Sequence, residues 1–237
     1  MRSSRKEPSE TTNATANERS EGTVDDVVLT LSANPAFLKP KSWHVDRIAP
    51  STTLSIKDRD IQLDGGLLLG LSDSVRGEVS IVATKDGRVI AELTKPVELL
   101  AYNEWGGAGF MPELLAAFSM PNDPAVDHVI REASLILRRA GKPDSIDGYK
   151  SGSRERVWEI SSAICAAVAN LKLSYALPPA SFERDGQKIR LPHHVVERRI
   201  ATCLDTSMLL SSALEQAGLN PIVALPKGHA VVGVWLQ

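Results

Sequence analysis

Cys203 and His229 are the pair of side chains in this sequence whose types and order could support covalent chemistry. A thiolate is a strong nucleophile, and a nearby imidazole can take its proton and return it to a leaving amine. The surrounding stretch, RRIATCLDTSMLLSSALEQAGLNPIVALPKGHAVVGVWLQ, predicts how they would meet. Thr202 to Ala217 reads as a helix that Gly218 closes, with Leu204, Met208, Leu209 and Ala213 spread over a broad apolar surface. Cys203 falls in its first turn, where the helix dipole and free backbone N–H groups favour an anion and can hold an oxyanion.

The elements that follow would bring the imidazole back. Ile222-Val223-Ala224-Leu225 is a short apolar run of buried-strand type, and Pro226-Lys227-Gly228 is a turn. His229 opens a second predicted strand, sharing a face with Val231, Gly233 and Trp235. Two adjacent strands packed on the Cys203 helix would return His229 to the helix start.

Other candidate groups read as structural. Cys165 lies mid-helix among Ala and Ile and is expected in the core. His193-His194 are adjacent on a predicted extended segment, so they point to opposite faces and read as surface residues rather than a metal or base pair. His44 and His128 show no partner pattern. Asp205 is expected to point away from Cys203 and complement the helix dipole. Trp105 and Trp235 read as core aromatics. No metal or cofactor motif appears, and no GxxxxGK[ST] phosphate loop occurs.

Further upstream the chain divides in pattern. Residues 1–23, MRSSRKEPSETTNATANERSEGT, are polar throughout and predict a disordered leader without the apolar segment of a secretion signal. Residues 24–102 are strand-like, with VDDVVLTLSANPAF ending at Asn34-Pro35, an alternating STTLSIKD, and a hairpin about Lys85-Asp86-Gly87-Arg88. They predict a small antiparallel β-sandwich. Residues 103–237 turn helical. A short helix runs from Pro112 to Phe118, a longer one follows an Asp123 cap and closes at Gly141, and a third starts after Ser153. Pro178-Pro179 and SFERDGQK mark a polar excursion.

The 237 residues carry 43% hydrophobic and 24% charged side chains at a net charge of −2. That balance suits a globular core and gives no electrostatic signature for nucleic acid. No run of about 18 apolar residues predicts a membrane span. Two cysteines make no disulfide framework, which points to a reducing, cytoplasmic location.

A cysteine at a helix start, glycine after that helix, and His-Ala opening the second following strand resemble the transglutaminase-like branch of the papain-type cysteine enzymes. The phrases NEWGG, PELLAAF, PNDPAV, DGYK, PPASFE and TCLD…LLSSALEQAGL also resemble the N-terminal region of large bacterial proteins. In those, a β-rich segment and a transglutaminase-like segment precede a superfamily 1 helicase. The resemblance implies an α+β chain, the β-sandwich being followed by a transglutaminase-like domain whose last strands lie beyond Gln237. It implies Cys203 as nucleophile and His229 as base in a cysteine protease or acyl transferase acting on a protein or peptide substrate. The family's third residue, Asp or Asn, sits on the next strand, and no residue here matches it. The other reading it allows is a catalytically inactive interaction module that serves a helicase or helicase domain.

Overall fold

A computed structural model describes residues 12–17, 22–110 and 112–237. The chain separates into two compact units that meet in sequence between Tyr102 and Asn103. It is a mixed α+β protein with mostly antiparallel pairing. Residues 1–11 and 18–21 of the 1–23 leader lie outside the described residues, but its residues 12–17 form β1 (Thr12–Asn17), paired antiparallel with β4 (Thr53–Asp58). A disordered-leader reading from composition does not anticipate that strand, because polar residues can still pair through their backbones.

The first unit is built on four antiparallel strands. They are β2 (Val24–Asn34), β3 (Lys41–Ile48), β5 (Val75–Lys85) and β6 (Arg88–Leu99), in the order β3-β2-β5-β6. Alternation in β2 sends Val27, Leu29 and Leu31 into two apolar clusters with Val45, Ile48, Phe37, Leu38 and Leu99. The opposite face carries hydroxyl pairs, Thr30–Ser42 at 3.0 Å and Ser80–Thr94 at 2.8 Å. The hairpin between β5 and β6 turns on Asp86 and Gly87, both at positive φ, as its sequence predicts. A short helix, α1 (Gly65–Leu69), is capped by Asp64 and brings Leu67 and Leu68 to the second cluster.

One carboxylate ties this unit together. Asp58 accepts from Trp43 Nε1 at 2.7 Å and from the Asp60 amide at 2.8 Å, and it meets Lys41 Nζ at 2.7 Å. These bonds, the Lys41 one first, hold its carboxyl down at about 2. A depressed carboxylate stabilises the fold above its unfolded value and loses that contribution as pH falls through the folded one. Asp58→Asn is therefore expected to lower the urea midpoint at pH 7 and to match the wild type near pH 2. An equal deficit at both pH values would contradict this account.

The second unit is a helical core with small sheets at its edges. Its elements are β7 (Glu104–Trp105), a 3₁₀ helix (Pro112–Phe118), α2 (Pro124–Arg139), α3 (Arg154–Asn170), β8 (Ser174–Tyr175) and α4 (Phe182–Asp185). There follow β9 (Gln187–Lys188), α5 (Pro192–Arg198), β10 (Ile200–Ala201), α6 (Cys203–Gln216), β11 (Pro221–Ala224) and β12 (Val231–Val234). Asp123 and Ser153 cap α2 and α3 as their sequences predict. The α2 stripe Val126, Val129, Ala133 and Leu137 packs against Val157, Ile160 and Ile164 of α3. Arg156 is buried, and it fixes the loop between these helices by donating to the Pro143 and Ser145 carbonyls at 2.7 Å each.

Helix α6 is central to this unit. Leu209, Ala213 and Leu214 join the cluster of α2 and α3, while Cys203, Leu204 and Met208 join a second cluster with Trp105, Leu115, Phe182, Ile189 and Ala230. Serving two clusters explains why the helix is apolar nearly all round and keeps small residues such as Ser207, Ser211 and Ser212 buried. Beyond it, β11 and β12 form an antiparallel hairpin in which Ala224 faces Val231.

Three placements correct the sequence reading. Cys165 is exposed rather than in the core, because the buried stripe of α3 runs through Ile164 and Val168 instead. Trp235 is 59% exposed and Trp105 only 1%. Packing therefore claims one tryptophan and leaves the other at the surface, where the Trp235 carbonyl accepts from Tyr149 Oη at 2.6 Å. Finally, His193 and His194 lie not on an extended segment but in the first turn of α5, started by Pro192.

Candidate functional site

Cys203 occupies the first position of α6, and its placement comes from a chain of caps. Thr202 is the N-cap, and its hydroxyl accepts from the Asp205 amide at 3.2 Å. Asp205 returns the bond, accepting from the Thr202 amide at 2.8 Å, which completes a capping box around Cys203. The same carboxylate accepts from the Arg190 amide at 2.8 Å and from its guanidinium at 2.9 Å. Asp205 is fully buried. It complements the start of the helix as the sequence reading expects, but from inside the fold: its charge is paired there and pins the segment before α5 to the start of α6.

A second tie reaches Thr202 from β9. Gln187 Nε2 donates to the Thr202 hydroxyl at 3.1 Å, and Gln187 lies opposite Trp105 across the β7–β9 pair. Among the described residues, Gln187 Oε1 and Trp105 Nε1 are buried without a hydrogen-bond partner. Trp105 packs in the cluster that holds Cys203.

Cys203 itself is 6% exposed. Tyr175, from β8, is a titratable group whose ionisation Cys203 influences. Strand β8 runs parallel to β10, with Tyr175 in register with Ala201 and the Ala176 amide donating to the Ala201 carbonyl at 2.9 Å. That pairing sets the tyrosine beside the residues that lead directly into α6. Partial desolvation first, then the hydrogen bond and charge of Cys203, raise the Tyr175 phenol above its ordinary value. Tyr175 also lines a hollow of about 270 Å³ with Ala201, Thr206 and Lys172.

His229 sits just before β12, not in it, in the turn that follows Pro226. Its amide donates to the Pro226 carbonyl at 3.0 Å, and its side chain is exposed. The next residue, Ala230, is 3% exposed and packs in the cluster that holds Cys203. The hairpin thus anchors on the Cys203 layer one residue from the imidazole. Among the described residues no hydrogen bond joins the His229 ring to the thiol.

Two of the remaining histidines, His193 and His44, have carboxylate partners of their own. His193 Nδ1 lies 2.6 Å from a carboxylate oxygen of Asp123, the α2 cap, joining α5 to α2. His44, which shows no partner pattern in the sequence, meets Asp46 at 3.0 Å and Asp26 at 3.4 Å on the surface. Among the described residues no group of three or more His, Cys, Asp or Glu could hold a metal ion. No helix there is long and apolar enough to cross a membrane.

The functional candidates missed in the sequence are Tyr175, Gln187 and the buried face of Asp205. The Thr202-x-x-Asp205 spacing is the capping-box signal that could have placed Asp205. Two-residue strands such as β8 and β9 leave no periodicity from which to place the other two.

By fold and site this is a mixed α+β protein, mostly antiparallel in its sheets, with a buried thiol at a capped helix start. No protein-family profile matches the chain, and no curated protein matches it. Among solved structures it is similar to "a putative protease" from Parabacteroides distasonis. That similarity is at 14% identity and a TM-score of 0.30, covering 92% of this chain and 37% of that chain.

Proposed function

We propose that the unit from Asn103 to Gln237 is a transglutaminase-like cysteine hydrolase of protein or peptide amide bonds. In this reading Cys203 attacks the amide carbonyl as thiolate, forming a thioester and expelling the amine, which leaves with a proton from His229. Water then hydrolyses the thioester, with His229 taking its proton. The supporting observation is the convergence of two anchors on one layer: the capping box fixes Cys203, and Ala230 seats the residue next to His229 in the same cluster. The first-turn N–H groups of α6 are the available donors for the oxyanion.

The test uses the full chain against a library of fluorogenic peptide amides. Amine release is expected, to be abolished in Cys203→Ala and reduced roughly 10²-fold or more in His229→Ala. Release that persists undiminished in Cys203→Ala sinks the proposal.

A second reading is favoured by the burial of the thiol and the exposure of the His229 ring. In it the unit is a catalytically inactive interaction module that docks a helicase or helicase domain. No amide cleavage, together with capture of a helicase by wild type and Cys203→Ala alike, supports this reading.

A further inference from the structure

The second unit holds a hollow of about 520 Å³ that the reaction just described leaves unused. It is walled by the 3₁₀ helix, the C-terminal half of α6 and the start of β11. Its apolar lining includes Leu115, Met208 and Val223, which pack in or against the cluster that holds Cys203. Its charged lining is of one sign, Glu113 on the 3₁₀ helix and Glu215 on α6, with no lysine, arginine or histidine. Met208, Ser211 and Glu215 recur at three- and four-residue spacing, so one face of α6 supplies both apolar and acidic wall. The Ser119 hydroxyl donates to Glu215 Oε2 at 2.7 Å and so positions that carboxylate. Glu215 stands in the last turn of α6, which carries no basic residue, so the negative end of the helix dipole adds to its charge. Ser211 lines the hollow at 5% exposure, and its hydroxyl has no hydrogen-bond partner among the described residues. A buried hydroxyl left unpaired costs stability that an occupant can restore.

We propose that this hollow is a recognition site for an arginine side chain of an extended peptide. It rests on the reading of this unit as one that takes peptides, and adds which peptides it prefers. Arginine lays its methylene stem along apolar surface while its charged head stays with polar groups. Its guanidinium carries five N–H donors and no acceptor, and its weak hydration makes it the cheaper cation to bring into a partly enclosed site. Glu215 can accept in the paired geometry a guanidinium favours, and Ser211 offers its hydroxyl one helical turn before it. Glu113 adds a second negative charge from the facing element. Lysine carries the same charge on a compact, strongly hydrated head, so it meets fewer of these groups at once. An acidic side chain would be repelled by both carboxylates. The volume falls within the roughly 300–1,000 Å³ of ligand pockets. No bond is made or broken here; the site selects the peptide.

The experiment measures binding of labelled, alanine-rich peptides by fluorescence anisotropy, using the full chain as Cys203→Ala so that no peptide is cleaved. The peptides differ at one central position, which is arginine, lysine, norleucine or glutamate. Arginine is expected to bind about tenfold or more tightly than norleucine, which keeps the stem without the charge; the factor is that of one charge-assisted pair. Lysine should fall between them, and glutamate should not bind. Glu215→Gln keeps the size of that side chain and removes its charge, and it should bring arginine to within about twofold of norleucine. Ala116→Trp, at an exposed position of the wall, should weaken every peptide by filling the space, with an unchanged urea midpoint showing that the fold is kept.

Equal binding of arginine and norleucine overturns the proposal, since the hollow is then only an apolar groove. So does lysine binding as tightly as arginine, a preference that survives Glu215→Gln, or the failure of every peptide to bind. A dimer in sedimentation that Ala116→Trp dissolves overturns it too, by assigning the hollow to a second copy. Amide release from the same peptides by the wild type, read by mass spectrometry, separates the two readings. If release is absent while the arginine preference and its dependence on Glu215 hold, the Cys203 reading fails and the arginine site stands. If release is abolished in Cys203→Ala yet indifferent to the central residue, and binding shows no preference, the reverse holds.

Discussion

Asp205→Ala is expected to destabilise the second unit by about 3–5 kcal/mol, the cost of removing one partner from a buried, hydrogen-bonded ion pair. The magnitude follows from what the carboxylate does. Its two oxygens accept from the Thr202 amide, the Arg190 amide and the Arg190 guanidinium, all within 2.9 Å, in a site with no exposure at all. Deleting it strands two backbone donors and a half-buried guanidinium, and it opens the N-terminus of α6. Asp205→Asn keeps one acceptor oxygen but loses the charge, so it should recover part of the loss. The measurement is urea unfolding followed by hydrogen exchange across residues 203–216, which isolates this unit from the first. Protection in α6 should fall by two or more orders of magnitude in the alanine variant. A loss under about 1 kcal/mol would place Asp205 in the ordinary range of a single helix cap.

The same residue shows where the sequence was legible and where it was not. The α+β character could be read from the patterns, since the β5–β6 hairpin announces itself through Asp86-Gly87 and the caps Asp123 and Ser153 stand at the starts of their helices. These are local signals, each complete within a few residues. Helix α6 was readable for the same reason, although its extreme burial was visible only as a broad apolar surface. What escaped was set by tertiary contact. An aspartate two residues after a cysteine looks like dipole complement until the chain from Gln187 to Arg190 is folded over it. Tyr175 becomes notable only through a two-residue parallel pair with Ile200–Ala201. Helix α5 was missed because Pro192-His193-His194 offers no apolar period over its seven residues. The pair that opened the sequence reading is changed in detail. Cys203 stands at its helix start, whereas His229 precedes its strand and is exposed.

Gly186→Ala carries the other large effect, and it comes from the backbone. Gly186 follows α4 at φ 88° and ψ 176°, a combination that is nearly exclusive to glycine. A Cβ there would lie 2.0 Å from the Trp105 carbonyl oxygen and 2.7 Å from the Gly106 carbonyl carbon. Neither obstacle is a side-chain end that could rotate aside. Across the same seam Gly107, at φ 82°, would bring a Cβ within 2.2 Å of the Arg184 carbonyl oxygen, so the two segments touch main chain to main chain. They are also bonded there, the Ala108 amide to the Glu183 carbonyl at 2.8 Å and the Gly109 amide to the Arg184 carbonyl at 3.1 Å. An alanine at 186 must strain its own dihedrals and push the seam apart, together about 3 kcal/mol or more. The seam seats Trp105 and Gln187, and Gln187 holds Thr202, so the disturbance should travel to the start of α6. The expected result is a lowered urea midpoint together with faster alkylation of Cys203 at every pH. Gly87→Ala is the control: its φ is 73° but nothing lies within 4 Å of the added carbon, so it should lose only about 1 kcal/mol and leave Cys203 untouched. If the two variants prove equally mild, the close seam does not carry the cysteine layer.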